Sequence, residues 1–174
     1  MIGTEEEAMF TLKRLSGEAI EAALERAERY RLLNEPWEAE SICKDVLAVD
    51  PGNRRALVTM LLSLTDRFTR REPGTMAAAQ ELLARLDSEY DRCYYEGIIF
   101  ERRGKALLNQ GAPGCGPIVY DQLRRAMECY EKAEPLRPPG NDAALLRWNT
   151  CARVIMAHDH VRPAVEEPAQ TMLE

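Results

Sequence analysis

The side chains best suited to chemistry lie near the end of the chain. His158 and His160 are the only histidines among 174 residues, and Asp159 stands between them. Imidazole and carboxylate groups bind divalent metals, but a zinc site needs three or four ligands, and no further ligand stands at a suitable spacing. We therefore predict no metal and no cofactor. A metal-dependent enzyme that uses His158 and His160 remains a remote alternative.

Five cysteines could serve as nucleophiles, zinc ligands or disulfide partners. Their number is odd, none forms a CxxC pair, and a nucleophilic thiol would need a base, which only the two histidines could supply. The chain also lacks the GxxxxGK[ST] and GxGxxG loops that bind phosphates. We therefore predict reduced, mostly buried thiols, no catalytic residue and a protein that is not an enzyme. The thiols are Cys43, Cys93, Cys115, Cys129 and Cys151.

The charge of the chain argues against nucleic acid and membrane partners. The net charge is −6, whereas binding to a phosphate backbone needs a basic face. Two basic clusters have acids beside them, and we expect both to be solvated helix faces. The longest apolar stretch is too short to span a bilayer, and residues 1–10 show no signal-peptide pattern, so we predict a cytoplasmic protein. The clusters are Arg67, Arg70, Arg71 and Arg102, Arg103, Lys105.

Apolar residues recur at steps of three and four along most of the chain, which predicts an all-α protein of about eight helices. Proline and glycine separate the stripes, most clearly at Asp50–Asn53 and Arg137–Asn141. We predict an N-terminal helix within residues 1–16, from about Glu5 to Leu15, and a helical domain over residues 17–160. Residues 161–174 are predicted to be a flexible tail. Within the domain, the glycines and prolines of residues 109–117 predict an inserted loop.

Two segments of the domain repeat each other. Residues 39–53 read AESICKDVLAVDPGN, and residues 126–141 read AMECYEKAEPLRPPGN. Each segment begins with a small residue and has a larger residue four positions later. A second residue of small or medium size follows three positions after that, and a proline follows after another five positions. Small residues let two helices approach closely, the larger one fills the space between them, and the proline marks the turn. The positions are Ala39, Cys43, Val46, Pro51 and Ala126, Tyr130, Ala133, Pro138.

This spacing resembles the tetratricopeptide repeat (TPR) family, whose unit is a helical hairpin of about 34 residues. The clearest unit is 20–53, a degenerate one follows over 54–87, and a third begins near Tyr90. A plain helical bundle would show the same helical periodicity. The resemblance implies antiparallel hairpins stacked as a short α-solenoid, whose concave groove binds a partner. The groove residues it implies are Glu28, Arg31, Arg55, Leu62, Tyr94, Ile98, Arg102, Asn149 and Arg153.

The functional hypothesis that follows is a scaffold or adaptor that binds a partner protein or peptide in this groove. A second hypothesis is a structural subunit or a self-associating component, possible because the ends of a solenoid stay monomeric only when their outer faces are polar. The helix that carries Trp148 is apolar enough to motivate it. A homo-oligomer is therefore an alternative to a foreign partner.

Overall fold

The computed structural model describes residues 10–164, which form seven α-helices and three short 3-10 turns, without a β-strand in that range. The all-helical prediction is therefore confirmed for these residues, and the number of helices is close to the expected eight. The helices are α1 Ile20–Leu32, α2 Pro36–Val49, α3 Arg54–Asp66, α4 Thr75–Leu83, α5 Glu89–Gln110, α6 Gly116–Ala133 and α7 Ala143–Ala157.

The predicted N-terminal helix is wrong where the structure describes it. Residues 10–16 are not helical, and a 3-10 turn at Gly17–Ala19 leads into α1. Phe10 and Leu12 are exposed, and only Leu15 packs on the core. So short a segment gains little from helix formation when it has no apolar face to bury. The rest of that predicted helix, from Glu5, lies outside the described residues.

Local sequence explains most helix boundaries. Pro36 occupies the first turn of α2, where its missing N–H costs nothing. The side chain of Asn53 accepts a hydrogen bond from the Ala56 N–H at 3.0 Å and so caps α3. Ser88 caps α5 in the same way, through the Asp91 N–H at 3.3 Å. These short-range signals place the helices independently of the rest of the fold.

The predicted loop over residues 109–117 is shorter than expected. Helix α5 continues to Gln110, α6 begins at Gly116, and Pro117 fits the first turn of α6. Only residues 111–115 connect the two helices. The extra length of this hairpin lies in its helices, which have 22 and 18 residues against 13 and 14 in α1 and α2. The glycines and prolines that predicted a loop therefore lie partly at the ends of the two helices, where these residues are common.

Each helix packs on the next, and α3 also packs on α1 and on α5. One apolar cluster joins helices α1 to α4 and includes Ile99 of α5, and a second joins α5 to α7. Leu62 and Tyr95 border both clusters, so the core is continuous. None of the helices within residues 10–164 has the length and apolar character needed to cross a bilayer.

The predicted C-terminal tail starts too early. Val161 is only 1% exposed and belongs to the second apolar cluster. The backbone reaches this position by passing close to Gly116, where a Cβ atom would lie 1.9 Å from the carbonyl oxygen of His160. The core therefore extends to Val161, and residues 165–174 of the predicted tail lie outside the described part of the chain.

Candidate protein-interaction surface

The candidate groove residues of α1, α3 and α5 come together because these helices pack side by side. On each helix the candidates are separated by three, four or seven residues and therefore share one face. Ion pairs cross from helix to helix on this surface. We call the surface the ionic wall and define it by Glu28, Arg31, Arg55, Asp66 and Arg102.

Arg55 on α3 binds two acids on α1. Its Nε and Nη2 atoms donate to the carboxylate of Glu28 at 2.5 and 2.9 Å, and its Nη1 donates to Glu21. A guanidinium group that grips a carboxylate with two nitrogens fixes the relative orientation of both groups. The hydrogen bond from Arg55 lowers the pKa of Glu28 despite partial burial, so the pair is charged at neutral pH.

Asp66 is the centre of the ionic wall. Its carboxylate accepts a hydrogen bond from Arg31 on α1 at 2.7 Å and another from Arg102 on α5 at 2.5 Å. Arg102 also donates to the Thr65 hydroxyl at 2.6 Å and to the Leu62 carbonyl at 3.1 Å. Burial lowers the pKa of Arg102, and the charge of Asp66 counteracts this effect. One aspartate thus joins three helices.

A second network surrounds Glu101. This carboxylate is 0% exposed and accepts a hydrogen bond from the Tyr130 hydroxyl at 2.6 Å. Lys105 also donates to it, and Arg147 on α7 donates at 3.2 Å. Burial alone would raise the pKa of Glu101, but the hydrogen bonds from Lys105 and Tyr130 and the nearby positive charges lower it.

Only part of this network has a signal in the sequence. Glu101 and Lys105 stand four residues apart on one helix, a spacing typical of a surface ion pair. Tyr130 and Arg147 lie 29 and 46 residues away from Glu101, so only the fold brings them together. Glu101 and Tyr130 are closed to solvent, whereas the Lys105 and Arg147 side chains are partly exposed. The network links α5, α6 and α7, which is a structural role.

Two candidates on α5 differ in what they can reach. Ile98 is 2% exposed and lies in the core, so it cannot touch a partner, and its place among the groove residues was wrong. Ile98 belongs to the second apolar cluster, which joins α5 to α6 and α7. Tyr94 is partly exposed and stacks on Tyr90 with ring centroids 5.6 Å apart. It therefore remains available as an aromatic contact.

Asn149 and Arg153 do not join the ionic wall. The α7 side chain that reaches α5 is Arg147, through Glu101. Asn149 and Arg153 make no side-chain hydrogen bond to another residue in the described range and lie on the side of α7 opposite the buried Cys151. The analogy that placed them in the groove identified the correct helix but the wrong face.

The two basic clusters are less solvated than expected. Arg67 is 7% exposed and donates to Glu40 at 2.7 Å, while Arg70 lies 4.3 Å above the ring of Trp37. In the second cluster Arg102 is engaged as described, and only Arg103 is exposed. Arg67 and Arg102 therefore connect neighbouring helices, because a long arginine side chain can bury its aliphatic part and still form an ion pair with a carboxylate.

The two histidines lie at the surface, where His158 is partly exposed and His160 is exposed. The two rings are 5.9 Å apart, and the Nδ1 atom of His158 lies 2.8 Å from the Val154 carbonyl oxygen. Both rings line an open cleft of about 640 Å³ with Lys105. Among residues 10–164, no three His, Cys, Asp or Glu side chains are grouped so that they could hold a metal.

The cysteines within this range are all unpaired, and four of the five are buried; Cys93 is the partly exposed one. The prediction of mostly buried, reduced thiols is confirmed in that respect. Burial raises the pKa of Cys43, Cys129 and Cys151 to about 12, so these thiols are poor nucleophiles at neutral pH.

Comparisons with other proteins supply no relative from which function could be inferred. No protein-family model, no curated protein and no solved structure matches the chain significantly. Function must therefore be inferred from the surface itself.

Proposed function

We propose that this chain is a cytoplasmic protein-interaction scaffold without catalytic activity. In this proposal, α1 to α6 form three TPR-like hairpins, α7 follows as a terminal helix, and the hairpins stack as a short solenoid. The ionic wall then lies on the inner side of the stack and contacts a partner protein or peptide.

Two features of the packing support the stacked arrangement. The first helices of successive hairpins contact one another, α1 with α3 and α3 with α5, as they do in a stack of repeats. The two repeated segments occupy equivalent places on α2 and α6, and their small and large residues are all buried. These residues are Ala39, Cys43, Val46, Ala126, Tyr130 and Ala133.

The observation that carries the proposed function is the ion pairing within the ionic wall, which joins partly exposed side chains of three helices. Its side chains are held by one another while remaining partly exposed, at 22% for Arg31, 24% for Asp66 and 21% for Arg102. Groups fixed before binding lose little conformational entropy when a partner arrives. Arginine is also enriched at protein interfaces. The wall therefore combines accessibility with preorganisation, which isolated surface charges lack.

The charges of the wall suggest the chemistry of the partner. Around Arg55, two glutamates surround one guanidinium group, so this end is net negative and suits a basic residue. Around Asp66, two arginines share one carboxylate, so the centre is net positive and suits an acidic residue. Tyr94 adds an aromatic surface on α5. We expect an extended segment with basic, apolar and acidic residues in that order or its reverse.

The test of the proposal exchanges the acidic and basic residues around Arg55, so that an ion pair between α1 and α3 is kept. The triple variant Glu21→Arg, Glu28→Arg and Arg55→Glu keeps opposite charges in contact but reverses the charges at the Arg55 end of the wall. The matched control is Asp121→Arg with Arg125→Asp, which reverses an exposed pair on α6, away from the wall. A photo-crosslinking residue at Val58, between the two ends of the wall, identifies the partner by mass spectrometry. Affinity for that partner is then measured for each variant.

We expect the wall variant to bind at least tenfold more weakly, with unchanged circular dichroism and melting temperature, and the α6 control to bind normally. Equal affinity of both variants for the crosslinked partner would refute the ionic wall as the binding surface. A crosslink that forms equally well from an exposed residue such as Glu81 on α4 would refute it as well.

A further inference from the structure

Helix α7 is the last helix of the described residues, and one of its faces is uncovered there. α7 packs on α6 and sends Arg147 towards α5, with Cys151 at 0% exposure in the centre of its buried face. On the opposite face Leu146 is 62% exposed and Met156 is 80% exposed. The two side chains lie ten residues apart on the same side of the helix, and large exposed apolar side chains that share one side indicate an interaction surface.

The residues of this face are arranged symmetrically about Cys151. Asn149 and Arg153 stand two positions before and after it, and Leu146 and Met156 stand five positions before and after. The face is thus apolar at both ends and polar in the middle. When two identical helices meet antiparallel about a two-fold axis, positions equally far from the axis face each other. Leu146 of one copy would then meet Met156 of the other, twice.

The charges of the face favour the same arrangement. α7 has two arginines and no acidic residue, so its surface offers no carboxylate that would repel another copy of this acidic chain. In the symmetric register Arg153 lies opposite Asn149 of the second copy, whose amide oxygen can accept its hydrogen bond. The two Arg153 side chains stay apart. The contact therefore pairs apolar with apolar groups and a donor with an acceptor.

From this symmetry we infer that the exposed face of α7 is a two-fold interface between two copies of the chain. Each α7 then provides the covering helix that the other lacks. The inference does not depend on the ionic wall and goes beyond the proposed scaffold role. A contact of two helices buries less than the roughly 1,200 Å² typical of stable complexes, so the dimer is weak and concentration-dependent.

The first experiment is sedimentation velocity of the full chain over a concentration series from micromolar to several hundred micromolar. We expect a monomer–dimer equilibrium. Leu146→Glu and Met156→Glu should each raise the dissociation constant at least tenfold, since each change occurs twice in a symmetric dimer. Ile118→Glu is the matched control, because Ile118 is also exposed, at 56%, but lies on α6. It should change the dissociation constant less than twofold.

The second experiment tests the register with single cysteines. Asn149→Cys and Arg153→Cys chains, oxidised separately, should form few dimers through these positions. A mixture of the two should form the 149–153 disulfide, identified by peptide mapping. The wild-type chain, whose own cysteines are mostly buried, gives the background.

Three results would overturn the inference. The first is a monomer at every concentration, which would leave the face to another protein or to the last residues of the chain itself. The second is a dimer that Ile118→Glu disrupts and the α7 variants do not. The third is equal disulfide formation in the mixture and in either single variant, which would exclude the symmetric antiparallel register.

Discussion

The hairpin of α1 and α2 and the hairpin of α5 and α6 use the same spacing of small residues but divide the space between their helices differently. In the first, Cys43 on α2 lies in one buried cluster with Ala27 of α1. In the other, the equivalent residue is Tyr130, and the facing residue on α5 is Gly97. A Cβ atom on Gly97 would lie only 2.5 Å from a ring carbon of Tyr130. A larger residue on one helix is thus matched by a smaller one on the other.

The two hairpins also differ in polarity. Tyr130 brings a hydroxyl group into the core, where it donates to the buried carboxylate of Glu101. The corresponding place in the first hairpin is apolar, and Glu28 of α1 forms its ion pair outside the hairpin, with Arg55 of α3, where both side chains stay partly exposed. The same spacing of small residues therefore occurs both in an apolar hairpin and in a hairpin built around a buried charge.

The largest expected effect comes from Tyr130→Ala. It empties most of a fully buried ring position and removes one donor from Glu101, so we expect a loss of about 3–5 kcal/mol in the free energy of unfolding. Cys43→Ala removes a single heavy atom and should cost about 1 kcal/mol. Urea denaturation measures both. Similar losses for the two variants would contradict the difference between the hairpins.

The variant Gly97→Ala tests whether the large Tyr130 on α6 requires a glycine opposite it on α5. The added methyl group collides with a ring that is held by its hydrogen bond, so we expect a loss of about 1–3 kcal/mol. Gly17→Ala, where nothing lies within 4 Å, is the control and should be close to neutral. Combining Gly97→Ala with Tyr130→Cys reproduces the pair of small residues of the first hairpin. If the losses of the two single variants simply add, the two positions do not share one space.

The buried charge predicts a pH dependence for the wild-type chain. Because the pKa of Glu101 is lower in the folded protein than its ordinary value, its contribution is present above the unfolded pKa. It is lost as the pH falls through the folded pKa. Urea denaturation from pH 7 to pH 3 should therefore show a steeper decline for the wild type than for Glu101→Gln. Parallel curves would mean that Glu101 is not stabilised as a charged group.

Thiol labelling compares the local opening of the hairpins without a mutation. Cys43 reports on α2 and Cys129 on α6; both are buried, and burial raises the pKa of both thiols to about 12. At pH 8 a maleimide should modify the partly exposed Cys93 first, and the two buried thiols only when their hairpins open. Mass spectrometry of the labelled peptides over time gives the order. Labelling of Cys43 before Cys93 would contradict its burial.

The smallest expected effect is that of Arg55→Ala. Its ion pair with Glu28 is partly exposed and screened by salt, so we expect about 0–1 kcal/mol, decreasing further as salt is added. Thermal melts at low and high ionic strength measure this. A loss as large as that of Tyr130→Ala would mean that the packing of α1 on α3 also depends strongly on a charged contact.

The positions of the helices followed closely from the sequence. Pro36, the turn at Asp50–Asn53 and the turn at Arg137–Asn141 lie at helix boundaries, because their backbone preferences act within a few residues. The segment of residues 109–117 was harder, since the same glycines and prolines that break a helix also occur at its ends. Residues 10–15 carry helix-forming residues but pack too little to become helical in this structure.

The geometry of the candidate interaction surface was predictable only in part. Helical spacing identified the face that carries Arg31, Arg55 and Arg102. It did not show that these arginines are paired across helices, or that Ile98 is buried among its neighbours. Exposure of a helical position depends on how many other helices pack against that face, and a single sequence does not contain this information.

The sequence by itself determined the helical class, the positions of most turns and the two segments with small residues at the same spacing. These depend on local backbone preferences and on periodicity along one helix. Only the tertiary structure decided that Asp66 joins three helices, that the buried Glu101 accepts hydrogen bonds from Tyr130 on α6 and Arg147 on α7, and that Val161 belongs to the core. Such contacts join residues that are far apart in the chain, and they exist only once the helices have packed.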